Sequence, residues 1–131
     1  MGTICTSRVG YQGPSGLDVT VKSATGIGQL LAPTWALVGG YKHWQGYLPL
    51  TEQQYTDKYL ALLRARYLAN EEAFIEIIQR EHLVLLCYCR AGVFCHRHLA
   101  LDVLEKIACA KGLPVHRGGE LLLDANRSTA R

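Results

Sequence analysis

The segment formed by residues 83–98 constrains the fold of this chain more than any other. Residues 83–89 read LVLLCYC and are apolar on both faces of an extended chain, which is typical of a central strand rather than an edge strand. A turn containing Gly92 follows, and then a helix that starts at Cys95. The segment therefore predicts a strand–turn–helix unit of an α/β protein.

Similar patterns along the chain predict the other elements. Strands are expected at residues 3–9, 17–22 and 113–116. Helices are expected at residues 34–40, 51–69, 71–80 and 95–110. Alternation in the second strand places Asp18, Thr20 and Lys22 on one face. We predict a single α/β domain over residues 1–131.

The composition excludes several classes of protein. The chain has 131 residues, of which 49% are hydrophobic and 19% are charged. These values are typical of a globular protein and argue against disorder, collagen and coiled coil. The net charge of +3 is too small to indicate nucleic-acid binding without a local basic patch.

The cysteines and the uncharged segments indicate the compartment. Five cysteines are an odd number, and three of them lie within residues 87–95, which does not resemble a disulfide framework. We therefore expect free thiols in a reducing cytoplasm. Residues 23–41 lack charges, but four glycines and Pro33 interrupt them. A buried loop and helix is expected there, not a membrane span.

The start of the last predicted helix is a candidate anion-binding site. A helix N-terminus presents unpaired backbone N–H groups and the positive end of the helix dipole, and Phe94 and Arg97 bound this position. Arg97, or Arg90 in the turn that contains Gly92, would add a charged contact to the same anion. Lys22 on the second strand is a further candidate for ligand binding.

Two cysteines are candidate nucleophiles. Cys95 at the helix start would have a lowered pKa, because the dipole and Arg97 or a protonated His96 stabilise a thiolate. Cys89, where the strand enters the turn, is the alternative. The arginine that cysteine phosphatases carry six positions after their nucleophile is absent here, since Cys95 occupies that position. His96 would move a proton, and Asp18 would orient the substrate or a catalytic proton.

A zinc site is the alternative use of the same segment. Strand alternation points Cys87 and Cys89 to one side, and Cys95 and His98 lie three residues apart on one face of the helix. Four ligands could thus converge, although the cysteines of structural zinc sites are usually two to four residues apart. Burial as small apolar side chains is the other interpretation, and it is favoured for Cys87 and Cys109.

The aromatic residues also allow two interpretations. Tyr55, Tyr59 and Tyr67, together with Trp35 and Trp44, could stack on a nucleobase. Aromatic residues at helical spacing more often belong to the core. The spacing therefore favours the core.

Several of these motifs resemble one known family. Residues 17–23, which read LDVTVKS, residues 32–35, which read APTW, and residues 85–99 with a Cys-His-Arg helix start carry the resemblance. They are similar to the domain of unknown function 488 family of small bacterial, archaeal and phage proteins. The resemblance implies a Rossmann-like three-layer sandwich, with a small, mostly parallel sheet flanked by helices, in an intracellular setting.

The resemblance also marks individual positions. Cys95, His96 and Arg97 match the signature of the family, and Asp18 and Lys22 match its early strand. The family implies a pocket bounded by the helix start. Many members lack the two cysteines of the central strand, so a metal bound there would be special to a subgroup.

Together these observations predict a function. We expect an enzyme that acts on a phosphate-bearing small molecule, a nucleotide or a nucleic-acid end, as a cysteine-dependent hydrolase or transferase without a cofactor. The alternative is a non-catalytic module that binds a nucleotide or nucleic acid and carries a Cys/His zinc site. No membrane partner is expected.

Overall fold

The computed structural model describes residues 2–89, 94–113 and 115–122. Within them, one sheet contains the strands β1 (Gly2–Arg8), β2 (Gly16–Asp18), β3 (His82–Cys87) and β4 (Val115–Glu120). Their order is β2–β3–β1–β4, and every neighbouring pair is parallel. The predicted α/β class, the parallel sheet and the central position of β3 are confirmed.

Helices follow β2 and β3 in the chain: a 3₁₀ helix (Gly26–Leu31), α1 (Trp35–Tyr41), α2 (Glu52–Ala69) and α3 (Glu71–Ile78) lie between β2 and β3, and α4 (His96–Ala110) lies between β3 and β4. Two of them begin with side-chain caps. Thr34 accepts a hydrogen bond from the Leu37 N–H, and Thr51 forms a capping box with Gln54. Gly112 follows α4 with a φ of 69°, which glycine adopts without steric cost.

The hydrophobic core lies between the helices and the sheet. Ile4, Leu83 and Leu85 belong to it, and each of α1–α4 contributes buried apolar side chains. Cys5 and Val84 alternate with these residues along the strands, so they project to the opposite face, and they are buried as well. Burial on both faces is the reason why β3 is continuously apolar.

The described helices include none that is long and apolar enough to cross a membrane. The uncharged residues 23–41 form the 3₁₀ helix and α1 together with the loops that flank them. The prediction of a loop and helix in this segment is confirmed.

The second strand is shorter than predicted. Its carboxylate at Asp18 turns the chain, because Oδ1 accepts hydrogen bonds from the Thr20 N–H at 2.8 Å and from the Thr20 hydroxyl at 2.7 Å. The strand ends at Asp18, so the alternation that was expected to place Asp18, Thr20 and Lys22 on one strand face does not extend to Thr20 and Lys22. The last strand is longer than predicted, since it pairs with β1 as far as Glu120.

Close packing of the 3₁₀ helix against this turn leads to a first prediction. A Cβ at Gly28 would lie 2.2 Å from the backbone carbonyl oxygen of Asp18. We therefore expect Gly28→Ala to lower the free energy of unfolding by about 1–3 kcal/mol, because the backbone must move to make room. Urea denaturation measures the change. Gln29→Ala, at an exposed neighbouring position, should stay within about 0.5 kcal/mol of wild type, and equal stability of both variants would contradict the packing described here.

Candidate functional site

The strands end together at one edge of the sheet, which we call the carboxyl edge. The register pairs Arg8 with Cys87, and Asp18 pairs with the residue before Cys87. At β4, Glu120 pairs with Thr6. Since open parallel sheets bind ligands at this edge, a ligand-binding site is expected there.

A cavity of about 680 Å³ opens at the carboxyl edge. Its aromatic wall consists of Trp35, Tyr41, Trp44, Tyr55, Tyr88 and Phe94. Its polar groups include Lys22, Lys42, His96 and the three cysteines of residues 87–95. The cavity thus combines apolar rings, two cations and sulfur, and it lies where the sequence predicted a site.

Three thiols form the centre of the cavity, and we call them the thiol cluster: Cys87, Cys89 and Cys95. Their Sγ atoms all lie within 4.8 Å of one another, and those of Cys87 and Cys89 are 3.9 Å apart. Cys87 and Cys95 are buried, whereas Cys89 is partly exposed. Such a cluster could hold a metal ion, and Cys89 is its most accessible member.

The environment separates the pKa values of two of these thiols. Hydrogen bonds from the thiols of Cys87 and Cys95 lower the pKa of Cys89, and the positive charges of Lys42 and Arg97 add to the effect. Hydrogen bonds from Cys95 to Cys87 and Cys89, followed by burial, raise the pKa of Cys95. The cluster therefore favours a thiolate on Cys89 and a protonated thiol on Cys95.

His96 connects the cluster to the rest of the fold. Its Nε2 lies 2.6 Å from the carbonyl oxygen of Val19, so Nε2 carries a proton and donates it to that oxygen. Nδ1 then presents a lone pair, 3.8 Å from Sγ of Cys87 and 3.7 Å from Sγ of Cys95. Burial lowers the pKa of His96 to about 4, so the ring is neutral at pH 7. A protonated His96 that stabilises a thiolate, as the sequence suggested, does not fit this environment.

Arg97 has a different environment from the one expected. Its side chain is fully buried, and its guanidinium donates to both carboxylate oxygens of Glu120, at 3.3 and 3.2 Å. Nη1 donates to the carbonyl oxygen of Cys89 at 3.1 Å. Arg97 does not line the cavity, although we expected it to contact the ligand. These contacts hold the backbone of Cys89 in position instead.

Asp18 also acts through the backbone. Besides the two contacts with Thr20, its carboxylate accepts a hydrogen bond from the hydroxyl of Ser23. Asp18 is not among the residues that line the cavity. Lys22 does line the cavity, where its Nζ lies 5.8 Å from the centre of the Tyr88 ring.

The remaining candidates divide into three groups. Phe94 lines the cavity and packs against the ring of Tyr41, with 5.0 Å between the ring centres. His98 is not a member of the group of possible metal ligands. Arg90 and Gly92, expected to bind the ligand, lie outside the described residues.

The sequence did not single out two residues of this region. Lys42 follows α1 directly and lines the cavity because α1 packs against α2. Glu120 lies 23 residues from its partner Arg97, and no spacing rule connects the two. No local pattern marks either residue.

The fold and the cavity define an α/β protein with a cluster of free thiols at the carboxyl edge of a parallel sheet. Residues 12–108 match DUF488-N3a, described as the active DUF488-N3 subclade. The chain therefore belongs to the domain of unknown function 488 family, and the resemblance seen in the sequence is confirmed. No curated protein and no solved structure matches it.

Proposed function

We propose that this protein is a cysteine-dependent hydrolase or transferase that acts on a phosphate-bearing small molecule of the nucleotide class, with Cys89 as the nucleophile. The observation that carries the proposal is the position of Cys89. It is the accessible thiol of the cluster, it lines the cavity, and it lies near the positive charge of Lys42. A nucleophile needs this combination of access and charge stabilisation.

The cavity suits a ligand that combines an anion with an apolar body. A volume of about 680 Å³ lies within the usual range for small-molecule sites. Lys22 and Lys42 provide charge for a phosphate group, and the described residues that line the cavity include no carboxylate. The sequence led us to expect the phosphate at the helix start with Arg97. The proposal places it beside Lys22 and Lys42 instead.

The separated pKa values of Cys89 and Cys95 supply the two roles that phosphoryl transfer requires. The Sγ atom of Cys89 forms a bond to phosphorus, and the bond from phosphorus to the ester oxygen breaks. That oxygen keeps the electron pair and takes the proton of the Cys95 thiol. Water, or an acceptor hydroxyl, then attacks phosphorus and gives its proton to Cys95. The bond from sulfur to phosphorus breaks, and the Cys89 thiolate forms again.

His96 would keep the Cys95 thiol in place during these steps. Its Nδ1 lies 3.7 Å from Sγ of Cys95, and the hydrogen bond to Val19 fixes the ring. The chemistry requires reduced thiols, and all five cysteines of the chain are free. A reducing cytoplasm therefore suits this protein.

Product analysis tests this proposal. The full-length protein is incubated with a panel of ribonucleoside and deoxyribonucleoside mono-, di- and triphosphates and a 5′-phosphorylated oligonucleotide. We expect mass spectrometry to detect a dephosphorylated or phosphate-transferred product from at least one of them. A phosphoryl group attached to Cys89 after acid quenching would support the covalent step. Complete recovery of every compound unchanged would reject the enzymatic proposal.

Removal of a cavity-lining cation whose charge lowers the pKa of Cys89 gives a second prediction. Lys42→Ala should weaken the binding of a phosphorylated ligand from the panel about 10-fold, because a charge-assisted contact is lost. Isothermal titration calorimetry measures the change. Lys58→Ala on the exposed surface of α2 should leave the affinity within about twofold, since Lys58 does not line the cavity. Equal affinities of the two variants would show that Lys42 does not bind the phosphate.

A second candidate function is a non-catalytic nucleotide-binding module whose thiol cluster holds zinc. Tetrahedral zinc with Zn–S bonds near 2.3 Å places its sulfur ligands roughly 3.8 Å apart. The Cys87 and Cys89 Sγ atoms are 3.9 Å apart, which fits this requirement. His96, like His98, is outside the group of three cysteines. Its Nδ1 nevertheless lies 3.8 Å from Sγ of Cys87 and 3.7 Å from Sγ of Cys95, so His96 would be the nitrogen ligand. A hydrogen bond from the other ring nitrogen to a backbone carbonyl, as Nε2 makes here, is common among zinc-bound histidines. Zinc would then stabilise the loop that carries Cys89.

Metal content separates the two candidates. Native mass spectrometry of protein purified with zinc in the buffer gives the number of ions for each chain. The zinc-binding module predicts one ion that is lost in Cys87→Ser, together with complete recovery of intact nucleotide. The enzyme with a free thiolate predicts turnover and rapid alkylation of Cys89 by iodoacetamide, with no metal bound.

A further inference from the structure

We infer that Trp35 and Trp44 form a base-stacking subsite at the mouth of the cavity, so that the ligand carries a nucleobase as well as a phosphate. This inference rests on the proposed function and names the part of the substrate that the thiol cluster and the lysines do not recognise. Both tryptophans line the cavity, and the centres of their rings are 6.3 Å apart.

Their exposure separates these two residues from the core tyrosines of α2, although Tyr88 of the cavity wall is exposed to a similar extent. Trp35 is 45% exposed and Trp44 is 44% exposed, whereas Tyr55 and Tyr59 are buried in the core. Leaving large apolar rings in water is unfavourable, and exposed apolar surface beside a cavity often marks a binding site. The helical spacing that favours a position in the core therefore applies to Tyr55 and Tyr59. It does not explain the positions of Trp35 and Trp44.

The backbone that carries both rings is ordered by local hydrogen bonds. Trp35 is the first residue of α1, directly after the Thr34 cap. The N–H of Trp44 donates to the carbonyl oxygen of Gly39 at 2.9 Å, and its ring contacts that of Tyr47. Because the backbone that carries the two tryptophans is already ordered, a planar ligand would stack on their rings at little cost in conformational entropy.

Charge narrows the class of ligand. Lys42 lies two residues before Trp44, and Lys22 lines the same cavity, so two cations share the cavity with the two tryptophans. A flat ring with a nearby anionic group fits this surface. A nucleotide has both, with a base that offers a π face to the indole rings and a phosphate that meets the lysines. A sugar phosphate offers the anion alone.

Calorimetry with matched probes tests the subsite. The four ribonucleoside 5′-monophosphates are compared with ribose 5-phosphate, which has the same sugar and phosphate but no base. We expect the best nucleotide to bind at least about 10-fold more tightly than ribose 5-phosphate, which is the size of one stacking contact. The chain contains two tryptophans and both line the cavity, so the nucleotide should also quench the intrinsic tryptophan fluorescence.

Variants of the two tryptophans provide the controls. Trp44→Leu should remove most of the advantage of the nucleotide while the affinity for ribose 5-phosphate stays within about twofold, and Trp44→Phe should restore it, because an aromatic face is what the base requires. Trp35→Leu should act in the same direction. A thermal melt shows that each variant is folded.

The outcomes distinguish this inference from the proposed function. Equal affinities of wild type for the nucleotides and for ribose 5-phosphate would overturn the base subsite and leave a phosphate-ester enzyme standing. A 5′-phosphorylated oligonucleotide that binds more tightly than the mononucleotides would support the subsite and identify a nucleic-acid end. Failure of every probe to bind would overturn the inference, and product analysis with the Cys89→Ser control then decides the proposed function separately.

Discussion

Cys89→Ser should lower turnover of the substrate identified from the panel by at least about 10³-fold. Serine has nearly the same shape as cysteine, but its hydroxyl does not ionise near pH 7 and cannot replace the thiolate. The Cys89 side chain is partly exposed and does not belong to the hydrophobic core, so the fold should be unaffected by the substitution. Binding of the substrate should stay within about twofold, because Lys22 and Lys42 remain. Steady-state kinetics and calorimetry on the same preparation measure both values.

Cys109→Ser is the matched control for this variant. Cys109 is a free, exposed cysteine on α4 that does not line the cavity, so its removal should leave turnover unchanged. Iodoacetamide should inactivate the wild type and the Cys109→Ser protein equally. Retention of more than a tenth of the wild-type rate by Cys89→Ser would show that Cys89 is not the nucleophile.

Arg97→Ala should lower the free energy of unfolding by about 3–5 kcal/mol, the cost of breaking a buried ion pair by removal of one partner. The side chain of Arg97 is fully buried, and that of Glu120 is 18% exposed. Without the guanidinium, the Glu120 carboxylate loses two donors and keeps the Thr6 hydroxyl, and the Cys89 carbonyl loses the contact from Nη1, in a poorly hydrated region. Urea denaturation measures the loss. Arg97→Lys should recover little of it, since an ammonium group cannot reproduce the forked contact.

Arg117→Ala is the matched control for the buried arginine. Arg117 forms ion pairs with Asp102 and Glu105, but its side chain is 44% exposed, so we expect a loss within about 1 kcal/mol. Should Arg97→Ala be too unstable to purify, Glu120→Gln removes the charge and retains the shape. It should be destabilised and should show an altered rate of Cys89 alkylation, because the carbonyl of Cys89 is held through Arg97. Stability of Arg97→Ala equal to that of Arg117→Ala would contradict the buried pair.

Much of the fold could be predicted from local patterns. Residues 83–89 predicted the central strand because the apolar run on both faces depends only on neighbours along the chain. Thr51 predicted the start of α2 in the same way, through a cap that involves residues three positions apart. The strand over residues 17–22 was predicted too long, since the alternation did not reveal that Asp18 would hydrogen-bond to Thr20 and turn the chain.

The candidate site was predicted less completely than the fold. Crowding of the thiols is a sequence property, because Cys87, Cys89 and Cys95 lie within nine residues. The differences between their pKa values are not a sequence property, since burial and the position of Lys42 depend on how α1 packs against α2 and how α4 packs on the sheet. The basic character of Arg97 suggested a ligand contact, but the contact with Glu120 could not be read from the chain.

The sequence by itself determined the central strand β3, the helix α4, the family and the set of reactive groups, because each depends on residues that are close along the chain. Only the tertiary structure decided that Cys89 faces the cavity, that Lys22 and Lys42 supply its positive charge, and that Arg97 is occupied by Glu120. The physical reason is that exposure and electrostatic environment are set by segments brought together from distant parts of the chain.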